Sequence, residues 1–383
     1  MKRILFVTHS SELHGAELLL LQTLERLDRA RFRSVLVIPR KGPLEKEADK
    51  LGIEVIPVPM KWWLSDRANL WRQPFAWIWN IKSVITIRDI IRRRKIDLVF
   101  SNSAVSFSGA LAAHVRRKPH IWFLHEILQG ENIQFRCILG SRFLIKFITA
   151  FSCQVIGNSM ATLAPFGSLS KIRVVYNGIS LEKSQDHTCE GTKKQLGLRD
   201  NDIILGMVGR VCPEKGQMEV LQAFALLKVH FPELKLLIVG EVKDKKYFLR
   251  IEKMIQELAL EKDVIFTGRR EKILDVIRSM DILIVASRSE SFGRVIIEAM
   301  SVKTPVVAVR SGGIPEIIED ESSGFLVPSN KPEDLASVIQ PLLQSREKAY
   351  SAALKAEKTI RQRFDINIQV EKIETIIEEC IGK

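Results

Sequence analysis

The chain has 383 residues, 46% of them hydrophobic and 27% charged, which is the balance of a folded globular protein long enough for two domains. No window approaches 18 uninterrupted apolar residues, which excludes a membrane-spanning helix, and the four-residue apolar run after MKR is too short for a secretory leader. The formal net charge is +13, and its distribution is uneven: residues 1–175 carry 27 Lys/Arg against 13 Asp/Glu, a net +14, whereas the rest is close to neutral. Such asymmetry predicts an acidic partner for the first half, whether nucleic acid, anionic membrane or a phosphorylated substrate.

In chain order the pattern is strand, loop, helix, repeated. Short apolar runs at 3–9, 34–39, 53–59, 97–102, 119–125 and 154–159 predict strands, with helices at 15–27 and near 43–51. A polar stretch at 181–202 interrupts the series and predicts a linker. A second series follows at 203–210, 235–240, 263–268, 281–287, 305–309 and 324–328, and helical text at 332–380 closes the chain. Buried strands alternating with helices argue for parallel sheets covered on both faces. The expected architecture is α/β. An amino-terminal Rossmann-like domain spans 1–180 and a carboxy-terminal one 203–360, with a helix at 361–383 packing back on the first domain. Five cysteines, Cys137, Cys153, Cys189, Cys212 and Cys380, form no CxxC pair and no metal spacing, an odd, scattered set that fits a reducing compartment.

Open α/β sheets bind ligands beyond the carboxyl ends of their strands. Three such ends carry a glycine before a helix: HGAE at 14–17, GRVCPEKG at 209–216 and ESFG at 290–293. Free N–H groups at a helix start favour anions there. None of these loops matches GxGxxG or GxxxxGK[ST], so neither a dinucleotide fingerprint nor an ATPase loop is supported.

Together with FLHE (123–126), VVYNGIS (174–180), ESFGRVIIEAM (290–300) and GGIPEII (312–318), these motifs resemble the family-4 retaining glycosyltransferases of GT-B architecture, over roughly residues 3–345. The resemblance implies two doubly wound domains with an inter-domain cleft, and transfer of a sugar from a nucleotide-diphosphate donor with retention of anomeric configuration. It assigns Arg210 and Lys215 to the donor diphosphate. Glu290, with Ser291, Phe292 and Gly293, falls to the donor sugar and phosphates, Glu298 to the ribose hydroxyls, and His125 to the donor sugar. It leaves Gly15 as the point where the first domain's backbone approaches the phosphates. Arg269, after another strand, is a candidate neighbour of the base. His125, Glu290, Arg210 and Lys215 form the expected catalytic set. Cations around a leaving diphosphate stabilise charge as it develops, so no cofactor and no metal is expected. Asp200-Asn201-Asp202, a nominal DxD, reads as a turn. The sequence departs from the family at His14, where a glycine is usual, and at Lys303, where a glycine usually ends the helix after Glu298 and its absence predicts a reshaped turn.

Five of the six tryptophans lie in 61–95 beside the basic run 92–95, and residues 132–151 form a second basic, apolar stretch without an acidic residue. Tryptophan with Lys/Arg along apolar helices fits a membrane interface. The alternative reading is that the tryptophans fill the core. The expected partners are a nucleotide-sugar donor, most simply a UDP-sugar such as UDP-glucose, a saccharide or lipid-diphosphate-linked acceptor for surface polysaccharide or glycolipid synthesis, and an anionic membrane, from a cytoplasmic location at its inner face. A nucleotide-sugar hydrolase or epimerase, or a non-catalytic binder, would share the fold. Carboxylates at the cleft loops would repel a phosphate backbone, so a nucleic-acid partner is not expected.

Overall fold

The computed structural model describes residues 1–130, 133, 135–182 and 191–382. The chain divides into two compact units, Met1–Gly178 together with the segment from Ile366 onward, and Ile179–Asp365.

The first unit is built on a seven-stranded parallel sheet of order β3-β2-β1-β4-β5-β6-β7. The strands are β1 (Lys2–Thr8), β2 (Phe32–Ile38), β3 (Glu54–Pro57), β4 (Leu98–Asn102), β5 (His120–Leu124), β6 (Gln154–Gly157) and β7 (Ile172–Val174). Central strands are apolar on both faces because both are covered: Ile4 and Phe6 pack on one side, Leu5 and Val7 on the other. Leu5 pairs with Val35 and with Val99, fixing the register at the centre. Among the described residues up to Gly178 the helices are α1 (Gly15–Arg26), α2 (Pro43–Lys50), α3 (Gln73–Arg93), α4 (Ser108–Val115), α5 (Ser141–Ala150) and α6 (Met160–Leu163).

The second unit holds a six-stranded parallel sheet, β10-β9-β8-β11-β12-β13. Its strands are β8 (Ile203–Val208), β9 (Leu234–Val239), β10 (Val264–Gly268), β11 (Ile282–Val285), β12 (Val306–Val309) and β13 (Phe325–Val327). Its helices are α7 (Thr192–Gln195), α8 (Gln217–Lys228), α9 (Lys245–Glu257), α10 (Ile273–Arg278), α11 (Arg294–Ser301), α12 (Pro332–Gln344) and α13 (Arg346–Arg363). Both sheets reverse direction of growth at one place, between β1 and β4 and between β8 and β11. That switch point leaves a crevice at the strand ends where ligands can enter.

The division falls after Gly178 and after Asp365, so described residues 191–202 of the expected linker belong to the second unit; residues 183–190, with Cys189, lie outside the described residues. The expected helical run 332–380 is three helices, the last being α14 (Ile366–Ile381) in the first unit. Ile366, Val370, Ile373 and Ile377 follow helical spacing and pack against α1 and the sheet. Polar contacts fix the helix further. Gln369 accepts from the Gly178 N–H at 2.6 Å and donates to Thr23 Oγ1 at 3.1 Å, and Glu374 pairs with Arg31 at 2.9 Å. A disulfide joins Cys153 to Cys380, across 227 positions of sequence. This pairing runs against the expected reducing compartment; Cys137 and Cys212 are free and buried.

The tryptophans are divided. Trp63 and Trp122 are core residues, whereas Trp62, Trp71 and Trp79 are exposed. Lys303 does not reshape the turn after α11; it adopts the left-handed conformation itself, at φ 61°, and its ammonium lies 3.5 Å from Glu357. His14 caps α1 in an extended conformation, which needs no glycine. Residues 200 and 201, within the expected Asp200-Asn201-Asp202, form a turn, closed by Asp202 Oδ2 accepting from the Arg199 N–H at 2.8 Å.

Candidate active site

In the second unit the two switch-point strands deliver the two motifs to one place. Beyond β8 the chain runs through Arg210 into a 3-10 turn, Pro213–Lys215, and then Gly216 opens α8. Gly216 has φ 73°, and a Cβ there would lie 2.3 Å from the Ala286 carbonyl oxygen, so only glycine lets these loops approach. Beyond β11 the loop carries Glu290, Ser291, Phe292 and Gly293 into α11. Lys215 Nζ lies 2.6 Å from Glu290 Oε2, with both side chains largely buried. Burial alone would push the Glu290 carboxyl up. The charge and hydrogen bond of Lys215, a hydrogen bond from Ser287 and the charge of Arg210 outweigh it and hold the group below its ordinary value. Glu290 is therefore an ionised carboxylate that already has a cation. Arg210 is exposed, and its carbonyl accepts from Gln217 Nε2 at 2.9 Å, which fixes the backbone that carries it.

The GGIPEII motif supplies the support that the sequence left unassigned. Gly313 N–H donates to the Glu290 carbonyl at 2.8 Å, and a Cβ on Gly312 (φ 52°) would fall 1.9 Å from that same oxygen. Glu298 lies on α11 and pairs with Arg294 one turn earlier, Nε to Oε1 2.9 Å. Burial raises its pKa, opposed by Arg294. The sequence reading missed Arg294, although the four-residue spacing on a helix could have disclosed it. One assignment is corrected, at the level of the side chain. Phe292 is a core residue, 1% exposed and ring-to-ring with Phe364 at 5.8 Å, so its side chain is not presented to a ligand. Arg269 is exposed after β10, the edge strand two places from β8.

In the first unit the β1 and β4 ends, with β5 beside them, gather a different set. Asn102 Nδ2 donates to the Ala16 carbonyl, which leaves its Oδ1 to accept from His125 Nε2 at 2.9 Å. Burial, with a smaller push from His9, lowers the His125 pKa to about 3, so the imidazole is neutral, with its proton on Nε2 and a lone pair on Nδ1. Glu126 accepts from the backbone N–H groups of Ala104 and His125, each at 3.1 Å, and from Ser103 Oγ. Those bonds hold Ser103, a non-glycine at φ 147°. Burial also pushes Glu17 up to about 7, although Thr8 Oγ1 donates to it at 3.1 Å, and lowers His9 to about 4. His9 Nδ1 sits 3.5 Å from Glu17 Oε1 without a hydrogen bond. Gly15 begins α1, where a Cβ would meet no atom within 4 Å. Sequence reasoning quoted Glu17 and Glu126 inside motifs but gave them no role, and it missed His9, Asn102 and Ser103. Only the fold brings these strand ends together.

A doubly wound pair of parallel sheets with a cation–carboxylate pair at the second switch point defines the α/β GT-B class. Two family models match: "Glycosyltransferase Family 4" over residues 13–183 and "Glycosyl transferases group 1" over residues 190–359. The chain belongs to the family-4 glycosyltransferases. HepE of Anabaena, solved in complex with UDP-glucose, superimposes with a TM-score of 0.83 at 25% identity, covering 99% of this chain and 100% of that one. An Escherichia coli UDP-Gal:alpha-D-GlcNAc-diphosphoundecaprenol alpha-1,3-galactosyltransferase is 24% identical over 96% of this chain and 95% of its own. N-acetyl-alpha-D-glucosaminyl L-malate synthase of Bacillus anthracis is 28% identical over 61% of this chain, and the match spans 60% of that enzyme. Matches to D-inositol 3-phosphate glycosyltransferases span less than half of those proteins' length.

Proposed function

We propose that this chain is a retaining glycosyltransferase that moves a hexose-type sugar from a UDP-sugar, such as UDP-glucose, to a saccharide or lipid-diphosphate-linked saccharide in surface polysaccharide or glycolipid synthesis. The observation that carries the reading is the Lys215–Glu290 pair at 2.6 Å between the β8 and β11 loops, with Arg210 beside it. The complexes of HepE with UDP and with UDP-glucose support the donor class. The name of the E. coli relative supports the acceptor class.

In this reading the acceptor oxygen bonds to the anomeric carbon as the carbon–oxygen bond to the diphosphate breaks. The acceptor's proton passes to a leaving phosphate oxygen on the same face, which preserves configuration. Arg210 and Lys215 balance the negative charge gathering on the nucleoside diphosphate, so the reaction runs without a metal. Lys215 reaches the phosphate while Glu290, still ionised, orients the sugar and stabilises positive charge at the anomeric carbon. Glu298 accepts from the ribose hydroxyls. His125 offers its Nδ1 lone pair to a donor-sugar hydroxyl, and Gly15 leaves room for the phosphates; both roles follow the family resemblance. The enzyme works at the inner face of an anionic membrane, as a peripheral protein.

A thermal-shift panel of nucleoside diphosphates and nucleotide sugars tests the donor. A ligand at about a hundred times its dissociation constant stabilises by about 2.7 kcal/mol. No shift with any uridine ligand refutes the donor assignment. Release of free sugar at the same rate with and without acceptor supports a hydrolase instead.

A further inference from the structure

The turn beyond β4 is strained. Ser103 is not a glycine, yet it sits at φ 147°. Such a conformation persists only where the surroundings over-determine it. Here hydrogen bonds hold the turn from several sides. Trp122 Nε1 donates to the Ser103 carbonyl and Trp63 Nε1 to the Ala104 carbonyl, each at 2.7 Å. Ser103 Oγ accepts from the Val105 N–H at 3.2 Å and gives its own proton to Glu126. Glu126 also accepts from the Ala104 N–H at 3.1 Å. Asn102, Ser103, Ala104 and Val105 are all 2% exposed or less, so these bonds are made away from water, where leaving one unmade is costly.

Glu126 reaches the neighbouring strand end as well. It accepts from the His125 N–H at 3.1 Å, so one carboxyl group clamps the backbone beyond both β4 and β5. Between the two clamped segments lies the hydrogen bond from His125 Nε2 to Asn102 Oδ1, 2.9 Å. Asn102 cannot be turned end for end, because its Nδ2 meets the Ala16 carbonyl, which only accepts. An oxygen opposite Nε2 keeps the imidazole proton there. The Phe123 ring, with its centre 4.4 Å away, backs the imidazole. A glycine would make the turn at 103 without strain, and burying an acid costs free energy. A chain that keeps both is holding geometry at this place rather than gaining stability from it.

We propose that Glu126 and Asn102 are positioning residues: Glu126 sets the two strand ends against each other and Asn102 holds the imidazole in one tautomer, so that His125 presents Nδ1 as a fixed acceptor to one donor-sugar hydroxyl. Both act through His125. The proposal deepens the reading of His125 as a contact of the donor sugar and rests on it.

Labelling with [15N]histidine reads the tautomer directly, because a protonated ring nitrogen resonates far from an unprotonated one. The His125 signal is identified by its loss in His125→Gln. Wild type should show the Nε2–H form alone. Glu126→Ala and Asn102→Ser, made singly, should each show a mixture of tautomers. Adding Ser103→Gly to Glu126→Ala should restore much of the single form, since glycine takes up the turn without the clamp. Turnover, read as UDP released from UDP-glucose, should fall roughly tenfold to a hundredfold in both single variants, the effect of a misplaced contact. UDP alone should bind within about threefold of wild type. Asn102→Ser is the milder change and decides the matter where Glu126→Ala does not fold. A role in stability alone would lower the melting temperature and leave the tautomer single. A single Nε2–H form in the folded variants overturns the proposal, and so does wild-type turnover in a variant whose tautomer is mixed. A wild type that gives no thermal shift with any uridine ligand counts against the donor reading instead, and the histidine spectrum still decides the positioning.

Discussion

Glu17 gives a stability prediction whose sign and size follow from its surroundings. Its side chain is buried beneath the β1 end, and burial raises its pKa from 4.5 to about 7. Between those values the folded chain holds a proton that the unfolded chain has released. Stability therefore falls as pH rises from about 4.5 to about 7 and changes no further from this source above that. The difference of about 2.5 units corresponds to about 3 kcal/mol. Glu17→Gln keeps the shape and an acceptor for Thr8 but cannot ionise. The variant should match wild type near pH 4 and exceed its stability by about 3 kcal/mol at pH 8. His9, lowered to about 4, contributes an opposite slope between about 4 and 6.5, but it does so in both proteins. All six tryptophans lie in the first unit, so tryptophan fluorescence during urea unfolding follows that unit alone. Parallel stability–pH curves for variant and wild type would refute the reasoning.

Four further outcomes are expected. Lys215→Ala should lower kcat/KM by roughly a hundredfold or more, because it removes a leaving-group cation and leaves Glu290 a buried carboxylate without its partner; a rate within about threefold of wild type contradicts the site. Glu298→Ala should weaken UDP binding by about ten- to a hundredfold, the worth of a charged hydrogen bond, read by calorimetry. Gly312→Ala should cost roughly 2 kcal/mol or more, read by thermal melting, since the new Cβ meets the Glu290 carbonyl at a positive φ, and it should lower activity by displacing Glu290. Cys380→Ser should lower the urea midpoint of the first unit, by about 2–5 kcal/mol in stability, and added reductant should then have no further effect.

The strands were legible because burial on both faces leaves a run such as ILFV or LLIV with no polar alternation. β7, three residues long and partly exposed, gave no such run. Arg210, Lys215 and Glu290 were legible because each stands within a few residues of a strand end. Features that depend on partners far along the chain were not. The disulfide spans 227 positions, and Phe292 finds Phe364 from another helix, so its place beside Gly293 misled. α3 lies within the basic, aromatic stretch 61–95, where no helix bounds were predicted. Which face its first half shows could not follow from periodicity, because Asn80 and Ser83 point inward while Phe75, Ile78 and Trp79 are exposed; only the second half buries isoleucines, Ile87, Ile90 and Ile91.

The two switch points share a topology and differ in electrostatics, and that difference is where chemistry can be assigned. Beyond β8 and β11, cations and hydrogen bonds overcome burial and keep Glu290 ionised beside Lys215. Beyond β1, β4 and β5, burial prevails: Glu17 and Glu126 are pushed toward their protonated forms, and His9 and His125 toward their neutral ones. The positive excess of the first half is therefore not concentrated in these buried groups. Cations do stand beside α3 on the outer surface, where Lys61 Nζ lies 4.2 Å from the centre of the Trp79 ring. A site of fixed charges is suited to a diphosphate, whose charge grows as the bond breaks. Neutral donors and acceptors are suited to sugar hydroxyls, which a dense charge would bind less selectively than water. In the proposed reading the basic outer surface serves to attract an anionic membrane, a long-range task in which the exact position of each cation matters little.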